Sequence, residues 1–111
     1  MKPAEPKPPR HPKEPVFRAA FARMLVQFRD AAELTQGQVG EKAGYEEKYI
    51  GKLERQQHTP TLTAVVQISN AVNVSPLEML AGVMELLPRF AHLEGKPLQG
   101  KPRKTGLSKR K

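Results

Sequence analysis

The sequence has no cysteine, no long apolar run and no segment in which polar and apolar residues alternate. Without cysteine there can be no disulfide, thiol nucleophile or thiolate metal site. No stretch approaches the roughly 20 apolar residues of a transmembrane helix, and the N-terminus lacks an apolar signal-peptide core. Because no alternating segment occurs, the sequence does not indicate β-strands. We therefore expect an all-α cytoplasmic protein that does not enter a membrane.

Groups that could carry catalysis or bind a metal are also scarce. The three histidines, His11, His58 and His92, are scattered, with neither a partner four residues away nor an acidic cluster nearby. The sequence shows no nucleophile–base set, no phosphate-cradling glycine loop and no paired carboxylates. We therefore expect no metal, no cofactor and no enzymatic activity.

Positive charge is concentrated at the two ends of this 111-residue chain, whose net charge is +8. Residues 16–94 contain eight basic and nine acidic residues, whereas residues 95–111 contain seven basic residues and no acidic one. Residues 1–15 include six prolines. Because such segments bury too little apolar surface to fold, we predict disordered basic arms at 1–15 and 95–111 around a nearly neutral domain at 16–94. The C-terminal arm is expected to attract phosphates without regard to sequence.

Apolar residues recur at helical spacing through residues 16–94, and this pattern predicts five short helices. Pro15 suits the first turn of the first helix, which should fade near Leu34. Thr35 has the side chain of an N-cap for the second helix, and Gly44 can end that helix in the left-handed conformation. The third helix is expected at about residues 46–55.

The fourth and fifth helices have clear start signals. Thr61 can cap the fourth helix, which Asn73 would end. Ser75, Pro76 and Glu78 have the spacing of a capping box for the fifth helix, which Pro88 would stop. The fifth helix carries more apolar residues than so small a domain can cover, so it is either ordinary core or a homodimer interface. We predict the interface, formed by Leu80, Val83, Met84, Leu87 and Phe90.

The segment 35–55 has the features that two helices need in order to meet at a sharp angle. Gly40 is small enough for a close approach of the two helices, and Gly44 provides the turn between them. Apolar residues that can hold the second of these helices in place are Val39, Tyr45, Ile50 and Leu53. The segment therefore predicts a helix-turn-helix.

A longer set of residues extends this pattern on both sides. Its members are Leu34-Thr35-Gln36, Val39, Lys42, Gly44, Tyr49-Ile50, Leu53-Glu54-Arg55, Pro60-Thr61-Leu62, Ile68, Ala71-Val72, Val74-Ser75 and Leu77. In order and spacing they resemble the Cro/lambda-repressor (XRE) family of helix-turn-helix proteins, over about residues 17–80. The resemblance implies a compact five-helix domain whose third helix enters the major groove of double-stranded DNA, usually as a dimer on a two-fold site.

The resemblance also implies a set of DNA-binding residues. Gln36, at the start of the second helix, would contact a phosphate, since free amides and the helix dipole favour anions there. Outward residues of the third helix would contact base edges, and residues of the following loop would lie along the DNA backbone. The implied positions are Glu47, Lys48 and Lys52 for the bases, with help from Tyr49, and Gln57 and His58 for the backbone.

Three further points concern the third helix. Arg29 and Glu54 match a pair that in this family joins the first helix to the end of the third, and their expected role is to orient the reading helix. Glu46 and Glu47 place negative charge where DNA would approach, although they favour helix initiation through the dipole. Gln56 replaces the glycine that is usual after Glu-Arg, so we expect a strained or reshaped turn.

Together these features predict a bacterial or phage-type transcriptional regulator in the cytoplasm, associated with the nucleoid, and most simply a homodimeric repressor. An antitoxin or a restriction–modification controller would share the fold and also bind a protein partner. A protein-interaction adaptor that has lost specific DNA binding is a third possibility, favoured by the neutral domain and the Glu46-Glu47 pair. RNA binding through the basic arms is less favoured, because no aromatic stacking platform accompanies them.

Overall fold

The computed structural model describes residues 8–95, so most of the two predicted arms, residues 1–7 and 96–111, lies outside the described part. The elements in order are α1 (Glu14–Ala31), α2 (Gln36–Ala43), α3 (Glu47–Glu54), α4 (Leu62–Ala71), α5 (Pro76–Leu86) and a terminal 3-10 helix (Leu87–Leu93). No strand occurs among residues 8–95. The predicted all-α class with five α-helices is therefore confirmed.

Side-chain caps determine where three of these helices begin. Thr35 Oγ1 accepts a bond of 3.1 Å from the Gln38 N–H, and Gln38 Oε1 accepts one of 2.8 Å from the Thr35 N–H, which completes a capping box. Thr61 caps α4 through its hydroxyl. Ser75 Oγ accepts the Glu78 N–H at 3.1 Å, so the serine half of the box predicted for α5 is formed.

Left-handed residues lie just beyond the ends of four helices. Gly44 follows α2 with a φ of 88°, as predicted. Glu33, Gln56 and Asn73 follow α1, α3 and α4 with φ values of 60°, 64° and 63°. Gln56 thus lies in the left-handed region that a glycine occupies without strain, so the turn after α3 is strained, as expected.

The hydrophobic core lies between the inner faces of the five α-helices. α1 packs against α3, α5 and the 3-10 helix, while α2 packs against α3 and α4. This arrangement surrounds α3 on its inner side and leaves its outer side open. The largest apolar side chains that are fully buried are Leu25, Val39, Ile50, Leu53, Ile68 and Met79.

The end of α5 differs from the prediction. The α-helix ends at Leu86, but Pro88 does not stop the chain from coiling, since it lies in the first turn of the 3-10 helix, where no backbone donor is needed. The inward residues of α5 are Met79 and Val83. Val83, with 3% of its surface exposed, therefore belongs to the core, which its assignment to a dimer interface did not anticipate.

The two ends of the described chain meet. The Gly95 N–H donates to the Pro12 carbonyl at 2.7 Å, and Lys13 Nζ lies 3.6 Å from Glu94 Oε1. α1 begins at Glu14, inside the predicted arm. The folded unit thus extends a few residues beyond the predicted 16–94 at its N-terminal side.

Candidate nucleic-acid interface

α2 and α3 cross closely because residue 40 is a glycine. A Cβ atom at Gly40 would lie 2.5 Å from the Tyr45 carbonyl oxygen and 3.3 Å from the Glu46 carbonyl carbon. The N–H groups of Gly44 and Tyr45 both donate to the Gly40 carbonyl at 2.8 Å. The turn therefore directs α3 across α2, in the geometry of the predicted helix-turn-helix.

A polar network attaches α3 to α1 and α2 at the same time. Glu54, the last residue of α3, accepts two bonds from Arg29: Nε to Oε2 at 2.6 Å and Nη2 to Oε1 at 3.0 Å. The side chains of Arg29 and Glu54 are only 17% and 7% exposed. The hydrogen bond to Glu54 raises the pKa of Arg29 above its ordinary value, so the guanidinium stays charged. The predicted bridge from the first helix to the end of the third is confirmed.

Gln36 belongs to this network as well. Its Nε2 donates to Glu54 Oε1 at 2.7 Å, which ties the start of α2 to the end of α3. Its Oε1 lies 3.3 Å from the point that a Cβ of Gly51 would occupy. Gln36 therefore has a structural role that the sequence did not reveal, in addition to any contact with phosphate.

The outer side of α3 forms one wall of an open groove against the start of α2. Glu47 and Lys48 are exposed, and Lys52 is half-buried one turn further along. Within residues 8–95 none of these three side chains forms an ion pair. The residues that line this groove, called the α2–α3 groove below, are Gln36, Glu46, Glu47, Lys48, Gly51 and Arg55. The structure thus brings together three of the predicted DNA-binding residues, and Arg55 is a groove residue that sequence reasoning missed.

Tyr49 lies on another side of α3, in an aromatic cluster. Its ring centroid is 4.8 Å from that of Tyr45 and 5.8 Å from that of His58, which it meets edge to face. Burial raises the pKa of Tyr49 above its ordinary value of 10.0, and Tyr45 adds to this effect. Gln57 and His58 follow α3, and the Gln57 N–H donates to the Lys52 carbonyl at 2.8 Å. The cluster therefore joins the turn, α3 and the following loop.

Apart from Val83, the residues predicted for a dimer interface fall into two groups. Leu80 and Met84 are 38% and 59% exposed on the outer face of α5, and Leu77, which the prediction omitted, is 78% exposed one turn earlier. Leu87 and Phe90 are half-buried and pack against the core. Leu77 could have been predicted from the sequence, because its helical spacing places it on the same face as Leu80 and Met84.

Within residues 8–95, no cluster of three or more acidic or histidine side chains could hold a metal ion. None of the helices in this part of the chain is both long and apolar enough to cross a membrane.

The five helices, the glycine-dependent crossing of α2 with α3 and the exposed outer side of α3 define a helix-turn-helix DNA-binding domain. The family model described as helix-turn-helix domain matches residues 20–81, which is more than half of the chain. The chain therefore belongs to this family, as its resemblance to helix-turn-helix proteins predicted. No curated protein and no solved structure shows significant similarity to it.

Proposed function

We propose that the protein is a sequence-specific regulator of transcription of the Cro/lambda-repressor type, which binds double-stranded DNA as a homodimer. The observation that supports this best is the contrast between the two sides of α3. Its inner side is fixed to α1 and α2 through Glu54, whereas Lys48 and Lys52 on its outer side have no ion-pair partner within residues 8–95. A rigidly held helix with free donors is what reading of base edges requires.

In this proposal α3 enters the major groove. Lys48 and Lys52 donate to guanine O6 and N7, and Glu47 accepts from cytosine N4. The free backbone amides at Gln36, at the start of α2, approach a phosphate, and Gln57 and His58 follow the DNA backbone. Tyr49 supports the loop that carries His58, since the two rings are in contact.

Homodimer formation is supported by the outer face of α5. Leu77, Leu80 and Met84 are exposed there, and a groove of about 340 Å³ opens beside Leu80, lined largely by apolar side chains that include Phe17. A second copy would cover this surface. One reading helix buries little area, so a dimer would double the contact and define the spacing of the half-sites.

A repressor that covers a promoter is the simplest mode of action for a helix-turn-helix domain of this kind, and in a bacterium it would work in the cytoplasm with the DNA. The same exposed α5 face also supports a second candidate, an antitoxin or a restriction–modification controller that binds a protein partner. Copurification of a second protein that competes with self-association would favour this candidate.

Selection from random duplex DNA at about 0.15 M salt, with the full-length protein, tests the proposed function. A palindromic motif with half-sites about one helical turn apart is expected. The double variant Lys48→Ala/Lys52→Ala should lose this preference and keep its helicity, because neither side chain belongs to the hydrophobic core.

The matched control is Arg10→Ala/Arg89→Ala, which removes two exposed cations outside the α2–α3 groove. This variant should retain the selected motif. Unselective binding by the unmodified protein, or equal loss of preference in the two double variants, would contradict the proposal.

A further inference from the structure

The α2–α3 groove contains a cation that is not among the proposed reading residues. Arg55 follows the last residue of α3, yet its side chain turns back by one helical turn. Its Nη1 lies 3.0 Å, and its Cζ 3.7 Å, from the point where a Cβ of residue 51 would be. Because residue 51 is a glycine, the guanidinium can occupy this place beside α3 without a clash.

The guanidinium of Arg55 is free to bind something else. It forms no ion pair with any of residues 8–95, and no side-chain hydrogen bond with them either. The neighbouring carboxylate of Glu54 is already engaged by Arg29 and Gln36. Residues 8–95 thus leave the strongest donor group of the groove without an acceptor.

The position of Arg55 also complements that of Gln36. The Gln36 amide nitrogen is held by Glu54, while its Oε1 lies 3.3 Å from the same point above Gly51. An oxygen at this point cannot donate to an anion. Arg55 therefore supplies donors where Gln36 presents an acceptor, and with Lys48 it offsets the charges of Glu46 and Glu47 in the same groove.

We propose that Arg55 binds a DNA phosphate at the α2–α3 groove and that the missing side chain of Gly51 places it there. This inference rests on the proposed function, since it assumes that α3 approaches DNA. A planar guanidinium can give a phosphate two parallel hydrogen bonds, which a lysine cannot do. The contact anchors the protein on the backbone and carries no sequence information of its own.

The test is the salt dependence of DNA binding by full-length Arg55→Gln. Each phosphate contact adds about 0.9 to the slope of log K against log salt concentration. We expect the slope of the variant to be smaller by this amount for each bound protomer. We also expect its affinity to fall by about the same factor for every duplex, roughly tenfold at 0.15 M salt, because a charge-assisted contact is lost. Arg89→Gln, which removes the same charge from the 3-10 helix, should keep the original slope.

Gly51→Ala tests the role of the glycine. Its methyl group would lie 3.0 Å from Arg55 Nη1 and 3.3 Å from Gln36 Oε1, so both side-chain ends must shift by a few tenths of an ångström, while alanine favours the helix. The melting temperature should be equal or higher, and DNA binding should be weaker. In the double variant Gly51→Ala/Arg55→Gln, binding should be no weaker than in Arg55→Gln alone, because the contact is already lost.

An unchanged slope in Arg55→Gln overturns the inference, and so does a loss confined to duplexes that carry one particular base pair, which would indicate a base contact. The slopes can be measured on a duplex of arbitrary sequence. If the protein selects no motif, the proposed sequence-specific function is contradicted. The role of Arg55 in phosphate binding can still be tested by the slope measurement.

Discussion

α3 and α5 are the two helices proposed to meet partners, and the domain holds them in opposite ways. α3 is fixed by directional contacts: the bonds of 2.6–3.0 Å around Glu54 and the close approach of backbones at Gly40. α5 is held by burial of Met79 and Val83, and its outer face is apolar too. The first set of contacts specifies an angle, whereas the second specifies only that the helix stays attached.

This difference corresponds to what each proposed partner requires. Donors on a reading helix must reach base edges within a few tenths of an ångström, so the orientation of α3 has to be defined on its inner side. Association of two apolar faces depends mainly on the area removed from water and tolerates small rotations. Substitutions that affect only the directional contacts of α3, or only the apolar contacts of α5, can show which function depends on which kind of attachment.

The largest effect is expected for Gly40→Ala. Its Cβ would lie 2.5 Å from the Tyr45 carbonyl oxygen, and backbone cannot move aside as a flexible side chain can. Overpacking of this kind should lower the free energy of unfolding by about 3 kcal/mol, measured by urea denaturation. Gly37→Ala is the matched control on the same helix, because its Cβ would meet only the Glu47 side chain, at 3.4 Å. Equal losses in both variants would refute the close-approach argument.

A smaller loss is expected for Glu54→Gln, which keeps the size of the side chain and removes its charge. The bonds from Arg29 then lose the negative charge of their acceptor, and one amide N–H faces the guanidinium. We expect a loss of about 2 kcal/mol in unfolding free energy, together with weaker DNA binding because α3 is less well oriented. Glu41→Gln, an exposed position on α2, should change stability by less than about 0.5 kcal/mol. If Glu54→Gln were as stable as this control, the network would not hold α3.

The neighbours Val83 and Met84 provide the corresponding comparison for α5. Val83→Ala should lower the free energy of unfolding by about 1.5 kcal/mol, because it removes buried methyl groups from the core. Met84→Ala should leave the unfolding of the monomer nearly unchanged and weaken self-association, measured by sedimentation equilibrium over a range of concentrations. The dimer proposal fails if Met84→Ala associates as the unmodified chain does, or if the latter is monomeric throughout.

Local signals made most of the fold predictable. Thr35, Gly40 and Gly44 act within a few residues of themselves, so the boundaries of α2 and the turn to α3 could be predicted from the sequence. The phase of α5 could not, because its apolar residues occur on more than one face. Met79 was therefore overlooked as a core residue, and Val83 was assigned to the surface.

The site was predictable to a lesser degree. The family resemblance implied which residues of α3 point outward, and helical spacing places the inward residues Ile50 and Leu53 on the opposite side. The bond from Gln36 to Glu54 depends on how α2 and α3 cross. The position of the Arg55 guanidinium beside Gly51 depends on the space that the glycine leaves open. Such contacts arise between helices and have no signature within either one.

The bond between Gly95 and Pro12 and the pair of Lys13 with Glu94 have a topological consequence. A folded segment whose two ends adjoin, as residues 12–95 do, resembles a ring cut at one point, and the position of the cut can change without altering the packing. A circular permutant that joins these ends could be opened at Asn73, in the exposed connection between α4 and α5. A chain end at that position would no longer need the left-handed φ of 63° that the present connection imposes.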